Sequence, residues 1–285
     1  MSDLFPPVEH QSVKTGHRFR RIRSVPFRVV LPNLVTLLAL CAGLTGIRMG
    51  LEGRFEWAVG AVALAAVLDA VDGRMARWLK GTSRFGAELD SLADFVNFGV
   101  VPGLLLYVWV LKETHSFGWL AVLAYVIAAV LRLARFNVML ETPKPAWQAN
   151  FFVGMPAPAG ALSALLPLYL QQIFAFAPDK RVAVVVAFYI LFVAFMMVST
   201  IPTWSGKKMG TRVPREQIIP VSVGFVLCIA ALVSFPFEVL AVVTIVYLGL
   251  IPFGWRRFRA LAAADAARPA EPDAAASTAR NDGRN

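Results

Sequence analysis

The stretch Leu68–Gly103, LDAVDGRMARWLKGTSRFGAELDSLADFVNFGVVPG, places four aspartates, Asp69, Asp72, Asp90 and Asp94, inside or against strongly apolar sequence. Every residue from Trp57 to Leu68 is apolar or Gly, and between Asp94 and Lys112 the only polar side chains are Asn97, Tyr107 and Trp109. A carboxylate within a membrane span costs about 2.5–3.5 kcal/mol on insertion scales. Four close together also repel one another. A chain that retains them must gather them around something cationic, and bound metal is the simplest candidate.

The surrounding sequence sets the fold class. Of 285 residues, 58% are hydrophobic and only 16% charged, whereas a soluble domain is charged at about a quarter of its positions. The chain therefore reads as an all-α, polytopic transmembrane helix bundle. Apolar runs of near-membrane length predict about eight spans, at 32–50, 55–78, 87–111, 116–138, 155–177, 182–203, 217–235 and 237–253. A basic arm (1–31) precedes the transmembrane domain (32–255), and an Ala-, Pro- and Asp-rich tail (256–285) is expected to be disordered. The arm is too polar for a cleavable signal peptide. No solenoid period and no inverted pair of broken helices is visible. Cys41 and Cys228 both lie in apolar runs and read as small buried hydrophobes, not as a disulfide.

Charge gives the orientation. Of the 28 Lys and Arg, all but Arg48, Arg54, Lys112, Lys180 and Arg181 fall in the arm, the tail and the segments 74–84, 132–151 and 204–216. With eight spans these regions share one side of the membrane, and the positive-inside rule makes that side cytoplasmic. Both termini and the Asp-rich turn are thus expected in the cytoplasm, at a bacterial inner membrane. The net charge of +10 is then topological and favours anionic lipid headgroups. No basic and aromatic groove motif points to nucleic acid.

Helical periodicity organises the aspartates. Asp69, Asp72, Gly73, Ala76 and Arg77 sit at i, i+3, i+4, i+7 and i+8, on one helix face. Gly73 and Ala76 keep that face low, and Arg77 offers a planar cationic fork suited to phosphate. Gly86, Asp90 and Asp94 likewise share a face of the next span, and a short turn makes the two spans antiparallel neighbours. Carboxylates without His or Cys form a hard-oxygen site, suited to two Mg²⁺ or Mn²⁺ ions in the clamp used for in-line phosphoryl displacement. His10, His17 and His115 lie outside the expected membrane core, so a carboxylate must act as general base.

The pattern D-x-x-D-G-x-x-A-R, then eight residues, then G-x-x-x-D-x-x-x-D resembles that of the CDP-alcohol phosphatidyltransferases, and every fixed position is present. PNLVT at Pro32–Thr36 is similar to the start of that family's first helix. The resemblance implies a six-helix core, a homodimer, two divalent cations, and transfer of a phosphatidyl group from a CDP-linked lipid to an alcohol with release of CMP. It implies Asp69, Asp72, Asp90 and Asp94 as metal ligands and Asp94 also as the catalytic base. Asp69, Gly73, Ala76, Arg77 and Gly86 match nucleotide-contact positions.

Flanking segments, including GTSRFGAELDSLADFVNFGVVP, LRLARFNV and PAWQANFFVGMPAPAGA, resemble the serine-using bacterial branch. The substrates implied are CDP-diacylglycerol and L-serine, and the products phosphatidylserine and CMP. Many of those relatives read SFG where this chain reads Asn97-Phe98-Gly99. Arg132, Arg135 and Asn97 are candidates for binding the acceptor or the lipid phosphate. The alternatives are the same chemistry on glycerol phosphate, inositol phosphate or choline, or a cation transporter using intramembrane aspartates.

Overall fold

The structure, a computed structural model, describes residues 27–140, 151–204 and 218–266. The expected spans coincide largely with helix, except that the span expected at 182–203 ends as helix at Val198 and runs into a short strand at Pro202–Trp204. In chain order the helices begin with α1 (Phe27–Leu51), α2 (Phe55–Trp78), α3 (Arg84–Asp94) continuing through a π-helical segment (Phe95–Val100) into α4 (Val101–Trp109), and α5 (Ser116–Leu140). Then follow α6 (Ala157–Ala164), α7 (Leu166–Phe174), α8 (Lys180–Val198), α9 (Ile218–Ser234) and α10 (Pro236–Ala266). Among the described residues, five stretches are long and apolar enough to cross a membrane: Phe27–Leu51, Arg84–Trp109, Ser116–Met139, Lys180–Val198 and Pro236–Leu261. The second expected span, α2, is 24 residues long but carries Asp69, Asp72, Arg74 and Arg77 in its second half. Many large apolar side chains point outward, among them Leu38, Leu64, Ile127, Phe188 and Val246, as a lipid-facing bundle requires.

The arm and the tail lie mostly outside the described residues. At their inner ends both are helical, because α1 begins at Phe27 and α10 runs to Ala266. Residues 256–266, expected within the disordered tail, thus continue the last helix. Cys41 and Cys228 are free, as expected, but exposed on the bundle's outer surface and not buried. Two short strands, β1 (Phe151–Val153) and β2 (Pro202–Trp204), pair antiparallel with Phe152 opposite Thr203. Gly154 ends β1 at φ +74°, with its N–H on the Ile201 carbonyl at 3.0 Å.

Two of the spans are interrupted at prolines, and a tyrosine completes each break. Pro102 has no N–H for the carbonyl four residues earlier, that of Phe98. The Tyr125 hydroxyl of α5 donates to that carbonyl at 2.7 Å. Pro167 likewise leaves Ser163 without its helical donor, and the Tyr189 hydroxyl of α8 donates there at 2.8 Å. A carbonyl within a bilayer has no water to turn to. These tyrosines therefore hold the broken helices while tying them to α5 and α8, where the core (Phe98, Leu105, Tyr125, Ala161, Ile190 and neighbours) is most fully buried.

Helix α1 packs along α2 through Gly46, where an added Cβ would lie 3.3 Å from the Ala58 carbonyl oxygen. Its Gly43 admits Asn97, and its Gly50 admits Leu105. This close approach brings the start of α1 over the α2–α3 turn and builds one wall of the site.

Candidate active site

The α2–α3 turn is tightly specified. Helix α2 ends with the Gly81 N–H on the Ala76 carbonyl (2.9 Å) and the Lys80 N–H on the Arg77 carbonyl (3.2 Å), with Lys80 left-handed at φ 50°. This is the Schellman arrangement, which satisfies the last carbonyls of a helix. A Cβ on Gly81 would collide with the Arg28 carbonyl of α1, so glycine is what allows that crossing. Ser83 then caps α3, its Oγ accepting the Gly86 N–H at 3.0 Å. Capping fixes the start of α3 and with it the depth of Asp90 and Asp94.

The fold brings three aspartates into a compact group. Carboxylate oxygens of Asp69, Asp72 and Asp90 lie within 4.8 Å of one another. Asp72 is buried, and Asp69 and Asp90 are half-buried. Asp94 stands one turn beyond Asp90 and outside this trio, with its carboxyl against that of Asp69, within hydrogen-bonding reach. The ion pairs Arg48–Glu52 and Arg54–Glu52 of the described residues do not involve these aspartates. The donor set is all hard oxygen, which fits divalent cations of the Mg²⁺ or Mn²⁺ type.

Beside the trio opens a cavity of about 390 Å³. Asp72, Gly73, Ala76 and Arg77 of α2 line one side and Gly86, Ala87 and Asp90 of α3 another. Gly73 faces open space, since an added Cβ would meet nothing within 4 Å. Arg77 anchors its Nε on the Gly73 carbonyl at 2.9 Å, which leaves its terminal nitrogens for a ligand. Gly86 sits so close to α1 that a Cβ would be 2.8 Å from the Asn33 Oδ1. Asp69 and Asp94 do not line this cavity.

The third wall was not anticipated as part of the site. Pro32, Asn33 and Thr36 of α1 line the cavity, and Thr36 donates to the Asp72 Oδ2 at 2.7 Å. The available signal was the pair of polar residues in PNLVT at the head of an otherwise apolar run.

The weaker candidates separate. Arg132 is buried, its Nε donating to the Met155 carbonyl at 3.1 Å and its guanidinium 5.1 Å from the centre of the Phe136 ring. It is also close enough to feel the charge of Asp94. Arg135 donates to the Val198 carbonyl at 2.6 Å, where it ties α5 to the end of α8. Asn97 is buried with its Oδ1 against Gly43 of α1, and that oxygen has no hydrogen-bond partner among the described residues. His115 is exposed, following the short helical turn Leu111–Thr114 at the far end of α4. His10 and His17 lie outside the described residues.

Comparison with known proteins gives a consistent assignment. The sequence model for CDP-alcohol phosphatidyltransferase matches residues 29–201, and that for CDP-alcohol phosphatidyltransferase 2 matches residues 216–252. A Mycobacterium bovis protein is 43% identical over 82% of this chain and 80% of its own length. One from Mycobacterium leprae is 42% identical over 82% and 77%, and one from Helicobacter pylori 33% identical over 72% and 86%. All three carry the name CDP-diacylglycerol–serine O-phosphatidyltransferase. With every motif residue in place around the carboxylate trio and its cavity, the chain belongs to the CDP-alcohol phosphatidyltransferase family.

Proposed function

We propose that this membrane protein makes phosphatidylserine and CMP from CDP-diacylglycerol and L-serine. The observation that carries the reading is the trio Asp69, Asp72 and Asp90, with oxygens within 4.8 Å, at a cavity walled by Gly73, Ala76, Arg77 and Gly86. The names of the mycobacterial and Helicobacter relatives support serine as the acceptor.

Asp69, Asp72 and Asp90 would hold divalent cations, with Asp94 completing the set. When bound, Mg²⁺ or Mn²⁺ neutralises the diphosphate and the charge developing on it. The low face at Gly73 and Ala76 lets the nucleotide approach the α2 backbone. Arg77, steadied by the Gly73 carbonyl, presents its fork to a phosphate oxygen. Asp94 accepts the proton of the serine hydroxyl as that oxygen attacks the phosphorus bearing the diacylglycerol. The bond from this phosphorus to the bridging oxygen breaks, and CMP leaves with that oxygen. Arg132, buried near Asp94, balances the serine carboxylate, while Arg135 and Asn97 hold helices together.

The site lies at the end of α2 and the start of α3, where the basic residues Arg74, Arg77, Lys80 and Arg84 cluster. That end faces the cytoplasm of a bacterial inner membrane, with both termini on the same side. Lipid tails then enter from the inner leaflet, and nucleotide and serine from water. The working unit is a homodimer, as in the family it resembles.

The test is CMP release by purified protein in detergent, with CDP-diacylglycerol, Mn²⁺ or Mg²⁺, and one acceptor at a time: serine, glycerol 3-phosphate, inositol phosphate or choline. Release with serine alone, accompanied by phosphatidylserine, is expected. Release only with another acceptor overturns the serine assignment, and no release with any overturns the transferase reading.

A further inference from the structure

Beyond Pro167 the two halves of the fifth expected span take different neighbours. Helix α6 packs against α8, whereas α7 packs chiefly against α10. Between α7 and α8 lies a groove of about 520 Å³, walled by Leu166 and Leu170 of α7, Phe176 of the connecting turn, and Val182, Val185 and Tyr189 of α8, with Arg181 at one end. The Tyr189 hydroxyl is bound to the Ser163 carbonyl at 2.8 Å, so Arg181 is the polar side chain left to an occupant. From Arg181 to Tyr189 the groove follows α8 for about 12 Å, at 1.5 Å per residue. Its position across the membrane follows from the other end of α8. The last turns of α5 lie beside the aspartates, since Asn137 donates to the Ser91 Oγ at 3.1 Å, and Arg135 there reaches the Val198 carbonyl. From Val198 the 19 residues of α8 lead back to Lys180, about 28 Å away and close to the thickness of the hydrocarbon core. Arg181 therefore stands at the interface opposite the aspartates, and the groove runs from it into the hydrocarbon.

We propose that this groove holds one acyl chain of an anionic phospholipid of that leaflet, whose phosphate pairs with the Arg181 guanidinium. The charge at the mouth selects the occupant. Lys180 and Arg181 are both exposed, and neither forms an ion pair among the described residues. The neighbouring Asp179 turns its carboxylate to the start of α8, accepting the Val182 N–H at 2.9 Å. A planar guanidinium matches two phosphate oxygens, and Lys180 beside it favours a headgroup without an ammonium of its own. Val185 and Phe188 are exposed along the same helix, where the surrounding solvent is lipid and not water, so an apolar groove there is filled by a chain. The bound lipid bridges α7 and α8 where Pro167 has parted them. It lies across the membrane from the carboxylates and is no reactant, so the proposal does not depend on the transferase reading.

The experiment titrates the full chain in detergent with dioleoyl phosphatidylglycerol or dioleoyl phosphatidylcholine and reads the first bound lipid by native mass spectrometry. The unmutated protein is expected to bind phosphatidylglycerol several-fold more tightly than phosphatidylcholine. Arg181→Gln should weaken phosphatidylglycerol binding about tenfold, the effect of losing one charge-assisted hydrogen bond. Val185→Trp fills the groove from an exposed position without touching the cation, and should weaken both lipids. Equal affinity of the unmutated protein for the two lipids overturns the proposal, as does phosphatidylglycerol binding that is unchanged in both variants. The same spectra report the number of chains per particle. A Val185→Trp protein that loses a dimer while keeping its lipid identifies the groove as a contact between copies, which also overturns the proposal.

Discussion

The Thr36 hydroxyl of α1 donates to the Asp72 carboxylate of α2 across 2.7 Å, both residues being buried. This bond orients the Asp72 carboxylate within the trio with Asp69 and Asp90. Outer partners of this kind steady a ligand and typically change metal affinity by about 10–100-fold when lost. Thr36→Val keeps the shape of the side chain and removes the donor. The expected outcome is a Mn²⁺ or Mg²⁺ requirement raised about tenfold, read as the metal concentration giving half-maximal CMP release. An unchanged metal titration would mean that Asp72 is positioned without Thr36.

Asp94 and the trio should make separable contributions if Asp94 is the base. Asp94→Asn should lower phosphatidylserine formation by about 10²–10⁴-fold, the range of general-base catalysis. Mn²⁺ should still bind at Asp69, Asp72 and Asp90, as seen in its paramagnetic resonance spectrum. Near-normal turnover would rule out Asp94 as the base. Asp72→Asn, in contrast, should weaken Mn²⁺ binding itself.

Tyr125 and Pro102 form a matched pair, because the hydroxyl replaces the N–H that proline lacks. Tyr125→Phe leaves the Phe98 carbonyl without its 2.7 Å donor and should cost about 1–3 kcal/mol of stability. Pro102→Ala restores a backbone N–H, so Tyr125→Phe should cost less in that background. A double-mutant cycle on unfolding in mixed micelles measures the coupling. Strict additivity would show that the two changes do not share a carbonyl.

The two arginines of α5 should behave differently. Arg132→Gln is expected to raise KM for serine, with a smaller effect on KM for CDP-diacylglycerol, because Arg132 lies within the influence of Asp94. Arg135→Gln removes the 2.6 Å bond to the Val198 carbonyl. It should lower the unfolding temperature and leave the serine KM nearly constant. Steady-state kinetics with each substrate varied separately distinguishes the two, and a serine KM that follows Arg135 would reverse the assignment.

The membrane class, the helical segments and the shared faces of Asp69–Asp72–Arg77 and Gly86–Asp90–Asp94 were legible in the sequence. Hydropathy and the 3.6-residue period act along one helix and need no partner to be read. What lies between helices was not. That α1 supplies the third wall follows from glycines at 43, 46 and 50 that let it approach α2 and α4 closely. That Asp94 meets Asp69 from outside the trio depends on the register of α3 against α2, set by the Schellman turn and the Ser83 cap. Arg135 had the composition of a ligand-binding residue, yet its nearest acceptor is a carbonyl at the end of α8. Asn97, read as a polar group for the acceptor, is turned against Gly43. Periodicity assigns a side chain to a face, but the helix that covers that face, and at what depth, is decided by packing between segments far apart in the chain.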